Sequence, residues 1–467
     1  MNIQIQNQDT KINKIQTEQE GLVYSIQEEE MTASVIGIKP DIIEIIIPHS
    51  IIYKSKSYII TSISEEAFNY SPVKSIQFAP DSELQTIEKK VFFKTQIENF
   101  TIPPHLTKID KSVFFFCQNL RTIEIPINSE LRTIESDAFF GTQIEKFTIP
   151  TNLIELREGC FLGMKKLKQL IVSPDNPRYS LYDEKFLICK TTEKSDIQDF
   201  LVFCVPNFEE VTIPSFIKNI GQYAFYEMKN LKRVEIQADS ELQTVGSQSF
   251  ARSSIESFTI SHHITKIDNY AFQCCKKLKK VEIPSDSELQ VIEKKAFNRT
   301  LIESFTIPSH VRFIGESALS TCSRLQSIKF QENSELKIIG SGAFSHTKIE
   351  YFTIPSQITK IGSYAFLCCD KLRKVDVPYN SELQTIENEA FRQSAIESFL
   401  VPPHVKQIGK LSFSNCENLQ IIEFYEDSEI TCIDNDSFDE RTVIMIPEKL
   451  SIRFNLKKKK VGQFNFI

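Results

Sequence analysis

Seven histidines, 11 cysteines and 61 aspartates plus glutamates are the side chains of this 467-residue chain that could ligate a metal, attack an electrophile or carry protons. Many of them are evenly spaced. His263, His310 and His404 lie 47 and 94 residues apart, and His105 falls on the same frame. Cys117, Cys275, Cys322, Cys369 and Cys416 share another frame, and Glu98, Glu145, Glu256, Glu303, Glu350 and Glu397 a third. Imidazole and thiolate suggest zinc, paired thiols a disulfide, and paired carboxylates acid–base work. The even spacing argues against all three, because an active site is one unlike constellation rather than a periodic one. If the period is that of stacked coils, equivalent residues two coils apart are about 10 Å from one another at ~4.8 Å per strand. Zn–N bonds need about 2 Å, and a disulfide needs Cα atoms within ~7 Å. The histidines therefore read as turn residues bonding backbone groups. The cysteines read as a small interior slot that Thr95, Thr142, Ser253, Thr300, Thr347 and Ser394 fill in alternate coils. Cys274 and Cys368 are adjacent extras.

Other chemistries lack their motifs. GxxxxGK[ST], GxGxxG, HExxH, GxSxG and CxxC are absent, and 13 glycines leave little for phosphate loops. No metal, cofactor or catalytic residue is expected. A net charge of −7 offers no broad basic field for nucleic acid. No apolar run approaches the ~18 residues of a membrane span, and the first residues, MNIQIQNQDTKINKIQTEQE, lack a signal's apolar core. On these grounds a cytoplasmic protein is expected. The odd number of cysteines in a long chain is unlike a disulfide scaffold. Asn69, Asn298 and Asn435 begin glycosylation sequons, but Ser71 and Thr300 fall in the interior slot.

The elements that carry these residues follow from the repeat. Ser-Glu-Leu/Ile recurs at Ser82, Ser129, Ser240, Ser287, Ser334, Ser381 and Ser428, in steps of 47 except for one of 111. A small residue followed by Phe (Leu at Leu319) marks each coil, from Phe68 to Phe438, with steps alternating 22 and 25 after Phe92 outside one 64-residue gap. Such regularity marks a solenoid. Leu120-Arg-Thr-Ile-Glu-Ile-Pro-Ile-Asn128 fits L-x-x-L-x-L-x-x-N, the core of a leucine-rich repeat, and Ile97–His105 fits it with Phe in the middle. Period-2 alternation buries Phe100 and Ile102 and turns Thr101 outward, and the proline that follows ends the strand.

The expected fold is a β-rich leucine-rich-repeat solenoid. It is a curved stack of about 15–16 coils with one parallel sheet on the concave face. Residues 1–20 are expected to be disordered and 21–60 to form a β cap. The solenoid spans 61–447, with a hairpin-like insert over 175–205, and 448–467 form a short cap and basic tail. Lys457–Lys460 in that tail reads as a solvated charge run.

Ile354-Pro-Ser-x-Ile-x-x-Ile-Gly-x-Tyr-Ala-Phe-x-x-Cys-x-x-Leu372 and its many cousins resemble the BspA-like leucine-rich-repeat family, named for bacterial surface antigens and abundant in some parasitic protists. The likeness covers about residues 21–447. Val172–Pro214 resembles the extended hairpin that such proteins insert between coils. The resemblance implies protein binding and adhesion at a cell surface, of the surface-antigen kind, without catalysis. The rival reading is an intracellular scaffold or adaptor.

The expected contact surface is the outward row of the strands, Thr101, Glu124, Thr148, Thr259, Glu282, Thr306, Lys329, Thr353 and Asp376. This hydroxyl-rich, mildly acidic row reads equally as a solubilising surface or as a platform for a protein partner or a glycan. The rival site is the insert, because irregular loops carry function more often than regular scaffold.

Overall fold

A computed structural model describes residues 15–192, 197–434, 436–447, 450 and the strand Gln463–Phe466. Lys457–Lys460 and most of 448–467 lie outside the described residues, as do residues 1–14. The chain forms two compact units, Met1–Lys185 and Phe186–Ile467. Each is a β-solenoid, and among the described residues no helix is long and apolar enough to cross a membrane.

Each turn of either unit has three sides. The first is the expected strand, as in Ser304–Ile307, whose Phe305 and Ile307 are buried while Ser304 is exposed. The second is a two-residue strand, as in Val291–Ile292, which forms a separate parallel ladder through the unit. The third is a tight turn at the Phe marker, whose backbone N–H groups donate to carbonyls of the next coil. Phe92 N–H reaches Val113 O at 3.0 Å, and Phe225 N–H reaches Ser249 O at 2.7 Å. Two residues of nearly every such turn take left-handed φ, for example Lys90 at 56° and Lys94 at 55°. L-residues rarely adopt that conformation, and inter-coil hydrogen bonds hold it here.

The sheet side has six strands in the first unit, from Glu44–Ile47 to Gln169–Val172, and twelve in the second, from Glu210–Ile213 to Gln463–Phe466. The total of about 18 turns exceeds the 15–16 counted from markers. Every marker lies between two strands, so each uninterrupted run has one strand more than markers, and Gln463–Phe466 adds another. The N-terminal boundary shifts for a related reason. Glu44–Ile47, inside the segment read as a cap, already pairs in parallel with Ser75–Phe78. Its Ile-Glu-Ile-Ile-Ile-Pro is the strand-then-proline pattern of the later coils without a marker ahead of it. The stretch expected to be disordered also contains structure. Ile15–Gln19 is a strand antiparallel to Leu22–Gln27, which in turn pairs with Thr32–Ile38. The alternating exposure of Ile15–Gln19 supplies the half-buried face that its polar composition obscured.

The insert begins with an anchor. Asn176 Nδ2 donates to Pro150 O at 2.7 Å and Leu153 O at 2.8 Å, while its Oδ1 accepts from the N–H groups of Arg178 at 3.0 Å and Tyr179 at 2.8 Å. Four bonds at a residue only 9% exposed make this side chain costly to remove. Asn176→Ala should destabilise this region by about 2–4 kcal/mol, since it strands two carbonyls and two N–H groups. Hydrogen exchange should accelerate at 150–156 and 176–182, and unchanged protection there would contradict the role. Within the second unit, Phe186–Cys189 and Phe200–Cys204 form an antiparallel hairpin, and the latter opens the two-residue ladder by pairing in parallel with Asn219–Ile220.

The core is built of rows. Phe225, Phe250, Phe272 and Phe297 stack face to face, with centroids 4.6, 5.1 and 5.1 Å apart and interplanar angles of 8° or less. Beside them runs a row of alternating thiols and hydroxyls. Cys322 Sγ donates to Phe297 O at 3.2 Å and meets Thr300 Oγ1 at 3.2 Å. Cys117, Cys275, Cys369 and Cys416 repeat the arrangement with Thr95, Ser253, Thr347 and Ser394. Burial pushes Cys117, Cys322, Cys369 and Cys416 up to about 11 and Cys275 up to about 12. These thiols are neutral donors to backbone carbonyls at physiological pH and poor nucleophiles.

A candidate partner-binding face

Thr101, Glu124 and Thr148 lie in the first unit, and Thr259, Glu282, Thr306, Lys329, Thr353 and Asp376 in the second. All nine are on sheet-side strands and none is buried. Register brings neighbours directly opposite one another, with Thr101 facing Glu124, Thr259 facing Glu282, Thr306 facing Lys329 and Thr353 facing Asp376. Thr148 faces Ile171. The hydroxyls of Thr101 and Thr259 donate to Glu124 and Glu282 at 3.2 and 3.3 Å.

The mildly acidic character read from the row is offset on three strands of the second unit by a basic residue two positions earlier. Lys280 pairs with Glu282 at 2.5 Å, Lys374 with Asp376 at 2.8 Å, and Arg233 with Glu235 at 4.0 Å. A hydrogen bond from Lys280 and its charge hold the Glu282 carboxyl below the ordinary value. The period-2 rule puts both residues of each pair on one face, so this face is charge-balanced.

The histidines also differ from expectation. Instead of backbone groups, His105, His263, His310 and His404 meet side-chain carboxylates of the following coil. Their Nδ1 atoms lie 3.1, 3.4, 3.1 and 3.0 Å from Glu130, Glu288, Glu335 and Glu429. The Glu of the Ser-Glu-Leu signature is thus the imidazole's partner. A carboxylate reaching across coils outcompetes a turn carbonyl as a charge-assisted acceptor. Asn152, at the same position, does bond backbone, donating to Ser129 O at 2.9 Å.

One stretch of the face departs from the repeat. Lys329 stands where neighbouring coils place Glu282 and Asp376. It has no carboxylate within 4 Å among the described residues. Ser327 faces Tyr351, which sets Lys329 alongside Thr353. Lys329, Phe330, Gln331, Thr353 and Gln357 line a groove of about 930 Å³ together with Arg312, Glu335 and Lys337. Arg312 Nε donates to Glu335 at 2.9 Å, and Lys337 Nζ to Gln357 at 2.8 Å. Hydrogen bonds from Arg312, then His310, keep the Glu335 carboxyl low. Tyr351, 61% exposed on the same strand face as Thr353, was missed from sequence. Its signal was an aromatic at a position held by Ser257, Ser304 and Ser398 in sister coils.

Comparisons with known proteins agree with this architecture. The model of the BspA type leucine rich repeat region matches in six copies over residues 46–172, 195–326, 290–420 and 384–457. A leucine-rich repeat protein from Bacteroides ovatus is 19% identical, with 97% of this chain and 99% of that one covered at a TM-score of 0.51. The pneumococcal vaccine antigen PcpA is 17% identical over the same shares, at 0.54. At these identities the likeness is one of fold. Comparison with curated proteins gives no match. With matched stretches covering most of its length and a strand and marker turn that repeat beside a slot filled in turn by thiols and hydroxyls, the chain belongs to the BspA-type leucine-rich repeat family.

Proposed function

We propose that this is a non-enzymatic protein-binding repeat protein, and that the sheet-side face of its second unit, centred on Lys329, Tyr351 and Thr353, receives the partner. The observation that carries the reading is an unpaired lysine and an exposed tyrosine beside a groove, on a face otherwise charge-balanced and regular. Tyrosine is among the residue types that dominate binding energy when buried on docking, and a lysine without a carboxylate partner is free to meet an acidic group of the partner. The family supports a finer reading, an adhesin of the surface-antigen kind that grips a host or matrix protein. An intracellular scaffold is the second reading. It is favoured by 11 cysteines with no disulfide among them, Cys432 exposed, a pattern suited to reducing surroundings. Antibody labelling of intact cells separates the two.

The contact surface is tested with immobilised matrix proteins, first screened for binding to the parent chain. Thr306→Arg plus Thr353→Arg should weaken binding at least about tenfold through bulk and unpaired charge, with melting unchanged. A chain with Asp175→Ser, Arg178→Ser and Tyr182→Ser, three exposed residues of the insert, should melt and bind like the parent. The reverse outcome would move the site to the insert.

A further inference from the structure

The turn side of the second unit carries a feature that the protein-binding reading does not use. Lys229, Arg252, Lys276, Lys277 and Arg299 line one groove of about 1050 Å³, and Glu227 is its one carboxylate. Glu227 meets Arg252 at 3.4 Å, and Lys229 Nζ donates to Arg252 O at 2.5 Å. Lys276, Lys277 and Arg299 are exposed and have no carboxylate within 4 Å among the described residues. Many cations elsewhere in the chain are paired with a carboxylate, as at Lys266, Lys294 and Lys360, whereas three exposed cations without such a partner converge on this groove. The repeat provides its own control. Four residues after the Phe marker stand Lys229 and Lys276 in these coils, but Asp370 and Glu417 in later ones. There Asp370 is neutralised by Lys348 at 2.7 Å. The excess positive charge is therefore local, in a chain of net charge −7.

We propose that this groove binds a sulfated polysaccharide. At ~4.8 Å per coil the cations form a ladder about 14 Å long, which suits a chain bearing anions at short intervals. The lining narrows the class of polyanion. It includes the hydroxyls of Ser254, Thr321 and Ser323 but no aromatic ring, so single-stranded nucleic acid would find no stacking platform. An acidic peptide would seek free backbone edges or an apolar anchor pocket. Here the backbone N–H groups of Arg252, Cys274 and Arg299 already bond the next coil, at 2.8, 2.8 and 3.0 Å, and Leu301 is the one aliphatic side chain in the lining. Hydroxyls and cations without rings or apolar anchors match a polyol that carries sulfate groups.

The test titrates the full chain with heparin, chemically desulfated heparin, oligo-dT and polyglutamate at about 0.1 M salt, where charges within a Debye length still interact. Heparin should bind and its desulfated form should not. Lys276→Ser, Lys277→Ser and Arg299→Ser together should weaken heparin binding by about tenfold or more. They should also lower the slope of log affinity against log salt by about 2–3, one unit per lost contact. Arg299→Gln alone should fall between the two. A control of equal charge change, Lys89→Ser, Lys168→Ser and Lys348→Ser, should keep parental binding. Equal affinity for desulfated heparin, or an equal loss in the control, would overturn the site. Tighter binding to oligo-dT or polyglutamate would overturn the ligand class.

Discussion

Phe272→Ala should cost the second unit about 3–5 kcal/mol, the range for truncating a buried phenylalanine and leaving a cavity. Its ring is fully buried, stacked between Phe250 and Phe297 at 5.1 Å each, and tilted against Phe258 at 4.9 Å. Three aromatic contacts vanish together, and the coils on either side are tied through backbone hydrogen bonds that cannot collapse inward to fill the space. Phe272→Leu should cost well under half as much, because Leu319 already holds the equivalent position, fully buried, in another coil. Urea unfolding measures both values. Hydrogen exchange in the alanine variant should accelerate most in the coils around Ser257–Thr259 and Ser304–Ile307, since a repeat contacts only its neighbours. Equal acceleration throughout the unit would show instead that it opens as one cooperative block.

Alkali should unfold the second unit through its thiol row. The ordinary thiol value is 9.0, whereas burial raises Cys322, Cys369 and Cys416 to about 11 and Cys275 to about 12. A raised pKa means that the fold favours the neutral thiol. The stability from this preference is fully present below about pH 9 and is lost as pH rises through the folded values near 11 to 12. Each such elevation is worth on the order of a few kcal/mol per thiol. Thermal melts from pH 8 to 11 should therefore show a steep fall above pH 9. Replacing Cys275, Cys322, Cys369 and Cys416 by serine should flatten that fall relative to the parent, while tyrosine and lysine titration remains common to both. Serine suits the slot, because Ser253 and Ser394 occupy it in alternate coils. Parallel pH profiles for the two proteins would show that the thiols do not ionise with unfolding.

Much of this molecule was legible as one-dimensional text. In a solenoid, residues 22 or 25 apart in sequence are neighbours in space, so the period of the chain is also its contact map. Thus the 47-residue step and the Phe marker put one equivalent aromatic in each coil, at Phe250 and Phe272 among others, and the structure stacks them. The alternation of Cys322 with Thr300 likewise gave the buried slot, and Thr306 beside Phe305 gave the outward row. The tertiary structure decided what the period does not encode. Whether a charge is neutralised depends on the reach of side chains across coils, and a lysine reads the same in sequence with or without a carboxylate beside it. Lys280 proved paired, while Lys276, Lys277, Arg299 and Lys329 did not. His310 found Glu335 rather than a backbone carbonyl for the same reason. The ends of the stack also escaped the text. Ile15–Gln19 and Glu44–Ile47 are held by strand pairing with a neighbour, and no marker announces them. Asn176 is a polar letter in the sequence, and only the approach of Pro150 and Leu153 to its amide makes it the anchor of the insert.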